Sequence, residues 1–237
     1  MRPLIWLGLC GLLLGLPACD APEPKQEEAK ESWTPRMTPR EASRAFSEVV
    51  SRVEPVAEAE CRRTAPRLNC DFRITVDTRK GARPNAFQSV DKSGRPVITF
   101  TIALIASAES PDEMAFIMSH EAAHHIGNHL LRQRRNAEAG AVVFGGLATL
   151  TGGTASDVSS AQRLGAAVGA RSYSKEFELE ADVLGTVIAA RAGYNPVRGA
   201  AFFNRIPDPG DKFLGTHPPN ADRLNAVRRK ARELGLL

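Results

Sequence analysis

The sequence predicts an α+β domain, mostly helical with one small β-sheet. Two capping boxes announce helices, at Thr38-Pro39-Arg40-Glu41 and Ser110-Pro111-Asp112-Glu113. In each, a hydroxyl and a glutamate satisfy free amides of the first turn, and proline takes a position that needs no N–H. Between the boxes lie short runs of strand character, "CDFRITVDT", "NAFQSV" and "RPVITFTIAL". Beyond residue 110 the strand signals stop and helical ones follow, which segregates the two rather than alternating them as a β-α repeat would.

Each element has its own justification. Phe46, Val49, Val50 and Val53 fall at i, i+3, i+4 and i+7, the stripe of a half-buried first helix. Phe72, Ile74 and Val76 alternate along the first strand, and "DKSG" joins the next two as a hairpin. Asn85 opens a strand that also carries Gln88 and Ser89, so it is expected at a sheet edge. "SPDEMAFIMSHEAAHHIGNHLLRQRR" reads as one long helix, "SYSKEFELEADVLGTVIAARAGYNP" as another ending at Gly193, and the last starts near Pro218. Residues 137–170 are rich in Gly and Ala with no obvious fixed shape. They read as a lid over a cleft, as an apolar contact through Val142, Val143 and Phe144 with lipid or client proteins, or as a loose loop with helical ends.

The chain has 237 residues, 43% hydrophobic and 24% charged, with a formal net charge of +4. That suits a single domain with a real core. The basic residues are scattered in short runs, which argues against a nucleic-acid partner. At the N-terminus, "MRPLIWLGLCGLLLGLPACD" has a positive start and an apolar run from Leu4 to Leu16, a secretory signal too short to remain as a spanning helix. Its "LPAC" resembles the lipobox of bacterial lipoproteins. This gives a signal peptide over 1–18, a lipidated Cys19 followed by a tether over 19–40, and a folded domain over 41–237. The tether is rich in Pro, Glu and Lys and would reach roughly 25 Å as a flexible coil. Localisation follows as the periplasmic side of an envelope membrane, inner or outer unresolved. Of four cysteines, Cys10 leaves with the signal and Cys19 takes lipid. Cys61 and Cys70 then form an expected disulfide across "CRRTAPRLNC".

The chemistry centres on His120, Glu121 and His124, an H-E-x-x-H motif inside a helix. Residues i and i+4 share one face, so two imidazoles can converge on one Zn²⁺ while Glu121 reaches toward water. His125 and His129 lie about 100° and 140° from His124 on a regular helix. They are expected at the surface or behind the ligands. A third ligand is required. "SKEFELEAD" offers Glu176, Glu178, Glu180 and Asp182, and helical spacing pairs Glu178 with Asp182 or Glu176 with Glu180 without choosing.

Taken with "GYNP" and "THPPNADRL", the order of these motifs resembles the M48 family of zinc metallopeptidases, over about residues 40–237. That group includes the CAAX prenyl protease, the membrane protease HtpX and soluble periplasmic relatives. The resemblance implies a zincin-like (gluzincin) domain holding one Zn²⁺, with Glu178 as third ligand and Asp182 orienting a ligand imidazole. It also implies Glu121 as general base and His217 near the reacting centre, either binding oxyanion charge or occupying the open metal position. Arg223 becomes a carboxylate partner, and Glu176 and Glu180 become solvated charges. The expected activity is endopeptidase cleavage of envelope proteins, with outer-membrane assembly clients among the polypeptide substrates. The strand at Asn85, Ala86 and Phe87 would bind substrate by strand addition. The rival expectation is a chaperone or assembly factor with an occluded zinc site.

Overall fold

The computed structural model describes residues 37–172, 174–208, 210 and 217–237. The signal segment, Cys19 and the tether up to residue 36 lie outside the described residues. The described residues form eight α-helices, one short 3-10 turn and three strands, mostly helix with a small sheet.

Helix α1 (Pro39–Thr64) starts where the capping box places it: the Thr38 amide donates to the Glu41 carboxylate at 2.7 Å and the Glu41 amide to the Thr38 hydroxyl at 3.3 Å. Ala42, Phe46, Val49, Val53 and Ala57 are buried along one face. In its last turn Cys61 bonds to Cys70, closing the short loop before the sheet. Strands β1 (Arg73–Asp77), β2 (Ala86–Val90) and β3 (Pro96–Thr101) lie in the order β1-β3-β2, with β1 parallel and β2 antiparallel to β3. The central strand β3 is buried along nearly its whole length, and β2 is an edge, as its polar residues require. Val76 departs from the expected inward alternation and is 42% exposed. The strand ends at Thr101 and "IAL" does not continue it: the Thr101 hydroxyl caps Leu104 at 3.2 Å and starts α2 (Ile102–Ser107).

The expected long helix from residue 110 divides in two. Helix α3 (Pro111–Ile126) is followed by Asn128 in the left-handed region (φ 53°, ψ 37°), after which α4 (His129–Leu150) begins. Helix α3 is buried nearly all round, from Met114 to Ala123, between α1, the sheet, α6 (Ser174–Arg191) and α7 (Pro196–Ala200). Such a helix can be apolar on every face. Its first-turn acids hold the C-terminal segment: Asp112 accepts the Asn195 amide at 2.8 Å, and Glu113 accepts from Arg205 at 2.6 Å. Both also suit the positive end of the helix dipole. Helix α8 (Asn220–Glu233) completes the domain against α6.

Residues 137–170 correct the expectation of a shapeless segment. They form most of a helical hairpin of α4 and α5 (Ala155–Ser172), with a Thr154–Asp157 box starting α5. Small residues read as looseness in sequence, but here they permit contact. A Cβ at Gly140 would lie 2.1 Å from the Gly165 carbonyl oxygen, and one at Gly169 2.0 Å from that of Asn136. Val142, Val143, Leu147 and Leu150 point outward and are well exposed. No helix among the described residues is long and apolar enough to cross a membrane.

Because the hairpin packs mainly on itself, Gly140→Ala should loosen it alone. Amide exchange in α4 and α5 should accelerate while α1 and the sheet keep wild-type protection. Uniform protection in both regions would refute the backbone contact.

Candidate metal centre

Helix α6 lies against α3 at unusually short range, because Gly185 faces His120. A Cβ there would be 3.0 Å from the His120 amide nitrogen and 3.1 Å from its Cα. Glu178 and Asp182 precede Gly185 by two turns and one turn, so the same face presents both carboxylates to the histidines. The rotation of α6 thereby decides between the two acidic pairs. Glu176 is exposed, and Glu180 turns toward α4.

The Nε2 atoms of His120 and His124 lie 3.0 Å apart, and the two Glu178 carboxylate oxygens are 3.5 Å and 3.4 Å from them. Ligand atoms about 2.0–2.2 Å from a tetrahedral zinc are roughly 3.3–3.6 Å from one another. The three observed spacings are each within about 0.3 Å of such an edge, the two carboxylate distances running to different oxygens of Glu178. Two imidazoles and one carboxylate are also a donor set that zinc takes readily, so the residues present fit the ion. Among the described residues this is the group placed to hold a metal.

Behind His120, Asp182 is fully buried, and its Oδ1 lies 3.0 Å from Nδ1 of the imidazole. Arg223 of α8 clamps that carboxylate through two contacts of 2.7 Å and lies over the Phe203 ring at 4.0 Å. Its Nη2 is also 3.2 Å from Glu178. His217 stands at the cleft mouth, with Nδ1 3.3 Å from the Glu178 carboxylate. The structure thus brings Asp182, Arg223 and His217 together around the donor cluster.

Burial disfavours charge on His120, yet its hydrogen bonds with Asp182 and Glu178 prevail and raise it to about 9. Burial also works against ionisation of Glu178, but His120, His124 and His217 hold its carboxyl well below the usual range. Glu121 moves the other way. Burial pushes it up, the neighbouring imidazoles and the Gln88 amide pull it down, and Glu178 adds to the rise.

A cleft of about 500 Å³ runs over these groups. Glu121 and His217 line it together with Asn85, Ala86 and Phe87 from the β2 edge. Sequence reasoning missed its apolar wall, formed by Phe177, Phe202 and Phe203. Phe177 carried one signal, its place beside Glu178. His125 and His129 are both buried, at 8% and 4% exposure, which removes the surface expectation for them. His125 Nε2 bonds the Asn69 carbonyl at 2.8 Å, linking α3 to the disulfide loop. Nor is Glu180 simply solvated, since Arg132 grips both its oxygens at 2.5 Å and 3.1 Å.

The sequence pattern of peptidase family M48 matches residues 44–231. The chain belongs to peptidase family M48. The family is zinc-dependent, and the mostly helical fold and a cluster that could bind a metal are consistent with its zincin-like domain. Among the relatives, the beta-barrel assembly-enhancing proteases of Escherichia coli O157:H7 and of strain K12 are each 27% identical over 154 residues, 56% of this chain and 30% of their own length. A Vibrio cholerae protein given the same name provisionally is 30% identical over 143 residues, 55% of this chain and 30% of its length. The chain thus spans less than a third of the length of these relatives.

Metal uptake should depend on pH in a defined direction. Below about pH 9 the metal-free His120 is protonated, and a ligand nitrogen must lose its proton to bind. Raising pH from 6 to 8 should tighten apparent affinity about tenfold per unit, with roughly one proton released per ion. Chelator-competition titrations across that range measure it, and a flat profile would contradict the assignment.

Proposed function

We propose that the chain is a zinc-dependent endopeptidase that cuts polypeptides of a bacterial envelope. The observation that carries this reading is the convergence of His120, His124 and Glu178 to within 3.5 Å of one another, with Glu121 lining the same cleft. When bound, zinc supplies Lewis acidity toward a scissile carbonyl and toward water. The chain's own groups do the rest. Glu121, raised by burial, accepts a proton from the attacking water on its carboxylate and returns it to the leaving amide nitrogen. His217, half exposed at the mouth, offers a donor to negative charge on the substrate. Asp182 and Arg223 hold His120 in the tautomer that keeps Nε2 free. The open edge of β2 at Asn85, Ala86 and Phe87 takes an extended substrate by main-chain pairing, which favours unfolded segments over particular sequences.

The lipobox-like "LPAC" at Cys19 supports a lipid anchor and a periplasmic-facing domain. Relatives named as beta-barrel assembly-enhancing proteases support envelope proteins, outer-membrane assembly clients among them, as substrates. A second reading, an assembly factor with a closed zinc site, draws on the contact between His217 and Glu178. Client protection that survives loss of Glu121 would favour it.

Glu121→Gln should retain zinc and lose about 10²–10⁴-fold in kcat on unfolded casein. Turnover near wild type would refute the mechanism. Gln88→Pro should remove a main-chain donor from the β2 edge, one that also faces Glu121, and so raise KM severalfold and lower kcat while zinc content is unchanged. An unaltered KM in a folded, zinc-loaded variant would exclude strand addition.

A further inference from the structure

On an unbroken helix His129 would lie about 140° from His124 and could not touch it. The break at Gly127 and Asn128 changes this. Asn128 takes the left-handed conformation, α4 restarts at His129, and the imidazole folds back over the last turn of α3. Its Nδ1 comes to 2.9 Å from Nδ1 of His124. The ring is 4% exposed and stacks on Phe177, with centroids 4.8 Å apart and planes at 10°. On its far side Nε2 lies 3.1 Å from Glu180, the carboxylate that Arg132 grips. Gly127 makes the room: a Cβ there would stand 2.3 Å from His129 Nε2.

The proton positions follow from this geometry. His124 turns Nε2 toward His120 and Glu178, so as a ligand it keeps its lone pair there and its proton on Nδ1. That N–H has His129 Nδ1 as its acceptor. His129 must then carry its own proton on Nε2 and donate it to Glu180. Each donor meets one acceptor, and the chain of bonds runs in a single direction.

We propose that His129, backed by Glu180 and Arg132, is the positioning residue for His124, as Asp182 backed by Arg223 is for His120. Each imidazole ligand then has a buried acceptor of its own, ending in an arginine-paired carboxylate. The inference rests on the metal reading of His120, His124 and Glu178. Acceptors of this kind fix ring orientation and ligand basicity, and their loss usually weakens metal binding about 10–100-fold.

His129→Phe keeps the stack on Phe177 and deletes the acceptor. His129→Asn puts an amide oxygen near the former Nδ1 position. Zinc affinity by chelator competition should fall about 10–100-fold in the Phe variant and return most of the way in the Asn variant. The visible d–d bands of the cobalt-loaded protein should change in the first and recover in the second, with thermal unfolding recorded for both. Gly127→Ala should mimic the Phe variant by pushing the ring aside. Wild-type affinity and spectrum in a folded His129→Phe would overturn the proposal. If that variant fails to fold, Glu180→Leu, which cuts the relay at its exposed end, decides: severalfold weaker zinc binding supports it, and unchanged binding overturns it. Wild-type protein that takes up no zinc would instead bring down the metal centre itself, and the relay with it.

Discussion

Asp182 has no solvent exposure, and three helices meet at it: α6 supplies the carboxylate, α3 brings the His120 imidazole and α8 brings the Arg223 guanidinium. A buried carboxylate is tolerable only when its charge and lone pairs are met. Both of its oxygens accept from Arg223, and one also faces His120. Such a group adds little net stability, but it admits few alternative packings. Removing any partner leaves a charge stranded in the core, so the rotation of α6 and the approach of α8 are set together with the ring of His120. The remaining site geometry depends on that setting.

Helix α3 shows why the arrangement is rigid. Apolar contacts surround it from Met114 to Ala123, and its histidines emerge where α6 passes close enough for Gly185 to replace a side chain. A ligand set carried on packed helices holds its spacing better than one carried on loops. The β2 edge and the apolar wall of Phe202 and Phe203 border the cleft without belonging to the donor set. The division is sensible for an enzyme that must hold an ion in fixed geometry while accepting varied chains. The two orienting systems extend the logic outward, since each ends in an arginine-carboxylate pair, one buried and one near the surface.

Much of the fold was legible in local signals. Thr38 marked a helix start that formed with both bonds of its box, while at Ser110 the hydroxyl cap formed but Glu113 accepts the Glu109 amide in place of that of Ser110. Phe46, Val49 and Val53 went into the core, and "DKSG" turned the hairpin. The misreadings share a cause. "IAL" looked like strand because its residues are apolar, while the deciding event was a hydroxyl of Thr101 capping a turn. Residues 137–170 looked shapeless because glycine and alanine have poor local signals, while their use lies in backbone contact across two helices. Val76 alternates correctly, yet its strand ends at the sheet margin where nothing covers it.

The sequence by itself determined that two imidazoles share one face of a helix, with Glu121 beside them, because a spacing of four residues brings His120 and His124 together whatever surrounds them. It also offered four acids over 176–182 as candidates for a third ligand. Only the tertiary structure decided which one, because the choice depends on how α6 rotates against α3, and the absent side chain of Gly185 sets that contact. Only the tertiary structure brought His129 to His124. Helical periodicity places them on different faces, and a single residue in the left-handed conformation, with a glycine beside it, folds one ring back onto the other.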